Sequence, residues 1–100
     1  MGMVYMERSV QMAPGRAPLW VGLGHRYREL GRRRDAEAAF ARAVAVDPAD
    51  VQARVALGVF LLDDGQAARA LEVAHAALRR EPDDARVKDL MARAQAAAAR

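Results

Sequence analysis

Six side chains in this sequence carry the chemistry of a nucleophile, a base or a proton donor: Tyr5, Ser9, His25, Tyr27, His75 and Lys88. Covalent catalysis through such groups needs a nucleophile within hydrogen-bond reach of a base, and a third group that orients the base. Here the six are scattered over different helical segments, and no constellation of that kind forms. His25 and His75 occupy different positions in the repeat described below, on a first and a second helix, which argues against a shared metal. Cysteine is absent, so disulfides and thiolate metal sites are excluded. No catalytic residue, metal or cofactor is predicted, and the chain is not expected to be an enzyme.

Charge narrows the function classes further. Sixteen basic residues face 13 acidic ones, for a net charge of +3 over 100 residues, and the signs are interspersed. That is a weak footprint for nucleic acid. The single basic cluster, Arg32-Arg33-Arg34, is predicted to lie in a turn where it could touch phosphate, but Asp35 and Glu37 follow it directly. No apolar run approaches the roughly 20 residues of a membrane span, and the N-terminus lacks a basic segment followed by an apolar one. A cytoplasmic protein is the expectation.

The elements that must position these residues are helices. Alanine is abundant, Thr and Asn are absent, and Ser9 is the only serine, so strand and turn formers are missing. Trp20, Leu23, Gly24 and Tyr27 recur at spacings of three and four, which predicts a helix over 17–30 closed by Gly31. A second helix is predicted over 35–46 with Ala36, Phe40, Ala43, Val44 and Ala39 inward, ended by Asp47-Pro48. The series continues over 51–62, 67–80 and 85 towards 100, with stops at Asp63-Asp64-Gly65 and Glu81-Pro82. Arg79 and Arg80 fall in a last turn, where positive charge suits the helix dipole, and Asp83 and Asp84 stand where an N-cap belongs.

One pattern occurs twice at an offset of 34 residues. Leu23-Gly24 returns as Leu57-Gly58, Gly31 as Gly65, Ala36 as Ala70, Ala43 as Ala77 and Pro48 as Pro82. Such a period marks stacked helical hairpins, each leaving an apolar face that a neighbour must cover. Pro14 extends the period upstream, placing Met6, Arg8, Ser9, Val10 and Met12 in register with Phe40, Arg42, Ala43, Val44 and Val46. Residues 3–13 therefore read as a second helix lacking its first. The division is 3–13, a full repeat over 17–50, another over 51–84, and a terminal solvating helix over 85–100.

These residues resemble the tetratricopeptide repeat family over nearly the whole chain. Trp20, Leu23, Gly24, Tyr27, Ala36, Phe40, Ala43 and Pro48 match its signature. The second unit keeps Leu57, Gly58, Ala70, Ala77 and Pro82 but carries Arg54, Leu61 and Ala74 at the Trp, Tyr and aromatic positions. The third keeps Ala85, Met91 and Ala92. The resemblance implies an all-α, right-handed solenoid of about six helices that works as a protein-protein interaction module or scaffold, with a groove lined by the first helix of each hairpin.

On that implication the partner-facing stripe is Val21, His25, Arg28 and Glu29 on the first helix, Gln52, Val55, Val59, Leu62 and Asp63 on the next, and Arg86, Asp89 and Arg93 on the last. An apolar centre flanked by cations suits a peptide with apolar side chains and acidic groups. A competing reading makes 59–62 simply core. Some relatives clamp a C-terminal carboxylate with Lys and Asn, but Val21, His25 and Ala56 stand at those positions. Two rivals are a homo-oligomer joined through the open terminal helices and an RNA-reading helical repeat. The first competes with residues 3–13 folding back over Trp20; the second lacks polar base-reading residues at Val55 and Val59. Trp20 could stack on a ligand, but its spacing assigns it to hairpin packing, as do the positions of Met3, Met6 and Met12.

Overall fold

A computed structural model of the chain describes residues 16–100. They form five helices, and no strand occurs among the described residues: α1 Ala17–Glu29, α2 Arg33–Val46, α3 Val51–Asp63, α4 Ala67–Arg80 and α5 Ala85–Ala98. The fold is all-α. The helix expected over 3–13 lies outside the described residues. The chain divides into two compact units, one reaching to Ala53 and one running from Arg54 to Arg100.

The helix ends follow from a few residues. Gly31 and Gly65 both adopt φ of +76°, a left-handed conformation that costs a side chain strain but glycine nothing. At the first, the Arg32 N–H donates to the Tyr27 carbonyl at 2.9 Å and the Gly31 N–H to that of Arg28 at 3.0 Å. At the second, Gln66 donates to Leu61 at 2.8 Å and Gly65 to Leu62 at 3.1 Å. Both are Schellman closures, which satisfy the last carbonyls of a helix and reverse the chain.

The second helix starts two residues before the predicted 35. The Ala36 N–H already donates to the Arg32 carbonyl at 2.9 Å, so Arg33 and Arg34 sit in its first turn. The turn assignment for the arginine triplet is thus corrected for these two residues. Asp50 caps α3, accepting from the Ala53 N–H at 3.3 Å. Asp84 caps α5, accepting from the Arg86 N–H at 2.8 Å.

In the first unit, α1 buries Ala17, Val21, Leu23, Gly24 and Tyr27, and α2 buries Ala36, Ala39, Phe40 and Ala43. Gly24 lies directly over the Phe40 ring, where an added Cβ would fall 2.7 Å from a ring carbon. In the second unit α3 buries Ala56, Phe60 and Leu61, and α4 buries Ala70, Ala74 and Ala77. A stripe on α5 at spacings of three and four, Val87, Leu90, Met91 and Ala94, completes that core. Leu90 reaches over Gly58, where a Cβ would fall 2.5 Å from its Cδ2.

The terminal helix was predicted as a solvating one. Its outer face fits, since Arg86, Lys88, Asp89 and Arg93 are exposed, but its inner face supplies two of the four largest fully buried side chains, Leu90 and Val87. The signal was present in the 87–94 spacing and was masked by the polar residues between.

Candidate functional site

The first-unit stripe divides when its side chains are placed. His25, Arg28 and Glu29 are exposed on α1, and Gln52 is exposed on α3. Val21 is a correction: it is only 9% exposed and belongs to the buried face with Ala17 and Gly24, one turn to either side. Its position borders two faces, and an aliphatic side chain there turns towards the core. The His25 ring meets the Phe40 ring edge-on, with centroids 5.1 Å apart at 77°. An exposed imidazole is thereby anchored on the most deeply buried aromatic of its unit. Glu29 pairs with Arg26 at 3.3 Å.

In the second unit Val55, Val59 and Leu62 are half-buried on one side of α3, while Phe60 and Leu61 are buried. Val59 and Leu62 pack against Ala74, Leu90 and Met91, so each has one side in the core and one towards solvent. Leu62 and Asp63 of α3 line an open cleft of about 300 Å³ together with Arg93, Ala96 and Ala97 of α5 and Arg100. Leu62, Asp63 and Arg93, three members of the sequence-derived stripe, are thus brought together. Ala96, Ala97 and Arg100 were not foreseen.

Two of the α5 charges have close partners, one on the N-cap residue and one within the helix. The Arg86 guanidinium closes on the carboxylate of Asp84, with Nη2 to Oδ2 at 2.9 Å and Nε to Oδ1 at 3.2 Å. This contact, chiefly the side-chain hydrogen bond from Arg86, holds the Asp84 carboxyl at about 2, below its usual 3.8. Arg86 is therefore part of the cap of α5 while its side chain stays exposed. Arg93 lies at 4.0 Å from Asp89, both largely exposed, a loose pair of little energetic weight.

A second cleft, also about 300 Å³, lies between α1 and α2. Trp20, Leu23 and Tyr27 form one wall, and Asp35, Ala38, Ala39 and Arg42 form the other. Trp20 is half-buried, and the Arg42 guanidinium stands 5.7 Å from its ring centroid. Arg32 lies 4.7 Å over the Tyr27 ring and pairs with Asp35 at 2.7 Å. The first arginine of the triplet is thus committed to its own unit.

The sequence position that holds Trp20 in the first repeat holds Arg54 in the second. Arg54 is half-buried, and its pKa is lowered, first by burial and then by the neighbouring charges of Arg80 and Arg79. Of the candidate chemical groups, Tyr27 is buried, His25, His75 and Lys88 are exposed, and Tyr5 and Ser9 lie outside the described residues. Among the described residues, no three His, Cys, Asp or Glu side chains gather as a metal-binding set. None of the described helices is long and apolar enough to cross a membrane.

The tetratricopeptide repeat family model matches residues 27–94. The chain is similar to a thermophilic TPR protein of Thermus thermophilus, at 30% identity and a TM-score of 0.79, covering 98% of this chain and 48% of that one. It superposes on the TPR2B domain of yeast Sti1, solved in a complex with pHsp70, at a TM-score of 0.81 and 21% identity, covering 94% of this chain and 80% of that one. An O-GlcNAc transferase of Thermobaculum terrenum also matches, at 30% identity and a TM-score of 0.76, over 92% of this chain and 18% of that one. No curated protein matches the chain in sequence.

Proposed function

Because the chain belongs to the tetratricopeptide repeat family, we propose that it is a protein-interaction module that takes a partner peptide on its first-helix faces and performs no catalysis of its own. The observation that carries this reading is the second-unit cleft, where the half-buried Leu62 and the small Ala96 and Ala97 adjoin the cations Arg93 and Arg100. Apolar area beside guanidinium groups accepts an aliphatic side chain next to a carboxylate. Val55 and Val59 extend the apolar strip along α3 within the second unit. In the first unit, taken by itself, His25, Arg28, Glu29 and Gln52 are exposed and offer polar contacts.

The preferred ligand differs from the C-terminal carboxylate that some members of the family clamp. Of the three positions at which such relatives clamp a terminal carboxylate, Val21 and Ala56 are buried and apolar, and only His25 is exposed. An internal peptide segment with alternating aliphatic and acidic residues fits better than a C-terminal tail. Panning a random peptide library against the intact chain and against the folded Val55→Asp/Arg93→Glu variant tests this. Peptides rich in aliphatic and acidic residues should be enriched and should lose binding to the variant. Enrichment indifferent to both substitutions, or no enrichment at all, removes the reading.

A further inference from the structure

We propose that the α3–α5 cleft reads the spacing of acids in its ligand: two side-chain carboxylates three residues apart on an extended segment, with an aliphatic residue between them. The inference rests on the peptide-binding reading above and sharpens it, because it sets acids at every third position rather than every second. Arg93 and Arg100 carry it. They stand seven residues apart on α5, two helical turns, so both fall on one face about 10 Å from each other. The helical path holds as far as the second of them, since the Ala99 N–H donates to the Gln95 carbonyl at 3.0 Å and the Arg100 N–H to that of Ala97 at 3.4 Å.

Between the two arginines the cleft is lined by Ala96 and Ala97, whose small side chains let another backbone come close. Its volume of about 300 Å³ stands at the lower end for ligand pockets and admits a few side chains of an extended chain; a two-turn helix, about 10 Å across, is too bulky for it. Both arginines are exposed, and Arg93 is engaged only loosely, with Asp89 at 4.0 Å. An incoming carboxylate therefore displaces Asp89 at little cost.

Backbone geometry selects the period. A polyproline-type segment rises about 3.1 Å per residue with about three residues per turn, so positions i and i+3 point the same way about 9 Å apart, which matches the arginine spacing. In a β-strand, residues on one side lie about 7 Å apart at i+2 or about 13 Å apart at i+4, too short or too long. The three-sided section of the polyproline form also meets both walls. Its acids face α5, and one intervening side chain turns to the half-buried Leu62 on α3. Asp63 stands on that same wall and disfavours a carboxylate there, so a continuous acidic run is selected against.

Three end-blocked peptides of one composition test the spacing: Glu-Leu-Ala-Glu-Ala, Glu-Leu-Glu-Ala-Ala and Glu-Leu-Ala-Ala-Glu, between identical proline flanks. Affinity for the full chain is read by fluorescence anisotropy. The first peptide should bind about fivefold tighter than the other two, the gain of one added surface ion pair. That preference should vanish in Arg100→Gln, an exposed substitution whose fold is checked by circular dichroism. Equal affinities, or a preference that survives Arg100→Gln, would overturn the spacing; binding that is still lost in Val55→Asp/Arg93→Glu would then leave the peptide reading in place. No binding of any of the three removes both. Tighter binding of a helical peptide with acids seven residues apart also overturns the proposal, by giving the cleft to a helix.

Discussion

The two units apply one plan with different fillers. In the first, the space over Gly24 is filled from within the hairpin by Phe40. In the second, the equivalent of Phe40 is Ala74, and the space over Gly58 is filled by Leu90, sixteen residues further along on α5. A gap left by a small residue in one helix is closed by a large one in the next. What is held constant is the close approach; the residue that fills it is free to move along the chain. The position of Trp20 makes the same point with the opposite outcome, because Arg54 is carried there half-buried beside Arg79 and Arg80.

Emptying each filler should have the largest effect. Phe40→Ala should cost about 3–5 kcal/mol and Leu90→Ala about 2–5 kcal/mol, read by thermal or urea unfolding. If Leu90→Ala were as mild as a surface change, the claim that α5 completes the second core would fail. Next in size is transplantation. Ala74→Phe alone should destabilise by about 1–3 kcal/mol, because Leu90 already holds the room. Combined with Leu90→Ala it should recover part of that loss, and a double-mutant cycle measures the coupling. Strict additivity would show that the two side chains do not share one space.

Gly31→Ala and Gly65→Ala probe the closing turn that the two units share. Both have φ of +76° with nothing near the missing Cβ, so each should cost about 1–2 kcal/mol by backbone strain alone. Equal costs are expected although the surrounding cores differ.

The smallest effect concerns the cap that holds α5. A carboxyl held at about 2 in the folded chain against a usual 3.8 adds stability above pH 3.8, and that contribution fades as pH falls towards 2. The difference in melting temperature between the wild-type chain and Asp84→Asn should therefore shrink through that window. A difference that stays constant down to pH 2 would contradict the Asp84–Arg86 contact.

What was legible in the sequence was punctuation and period. Gly31, Gly65, Pro48 and Pro82 delimit helices whose ends fall within two residues of those predicted, because left-handed turns and missing N–H groups act locally. Side-chain placement at the borders of a helical face was not legible. Val21 turns inward where a small rotation would have exposed it, and Leu90 hides between charged neighbours. The Asp84–Arg86 contact crosses the first turn of α5 and has no counterpart in a helical wheel. The alanines and cations that line the α3–α5 cleft come from the end of α5, where no repeat signature guides the eye.

The paired Schellman closures bear on how fast this protein assembles. Each joins helices that begin and end within a few residues of one another, so a hairpin forms by closing a short stretch of polypeptide and pays little loop entropy. Low contact order of this kind belongs to chains that fold in microseconds to milliseconds. The two bends are therefore the places where order should start, ahead of the slower arrival of α5 that brings Leu90 over Gly58.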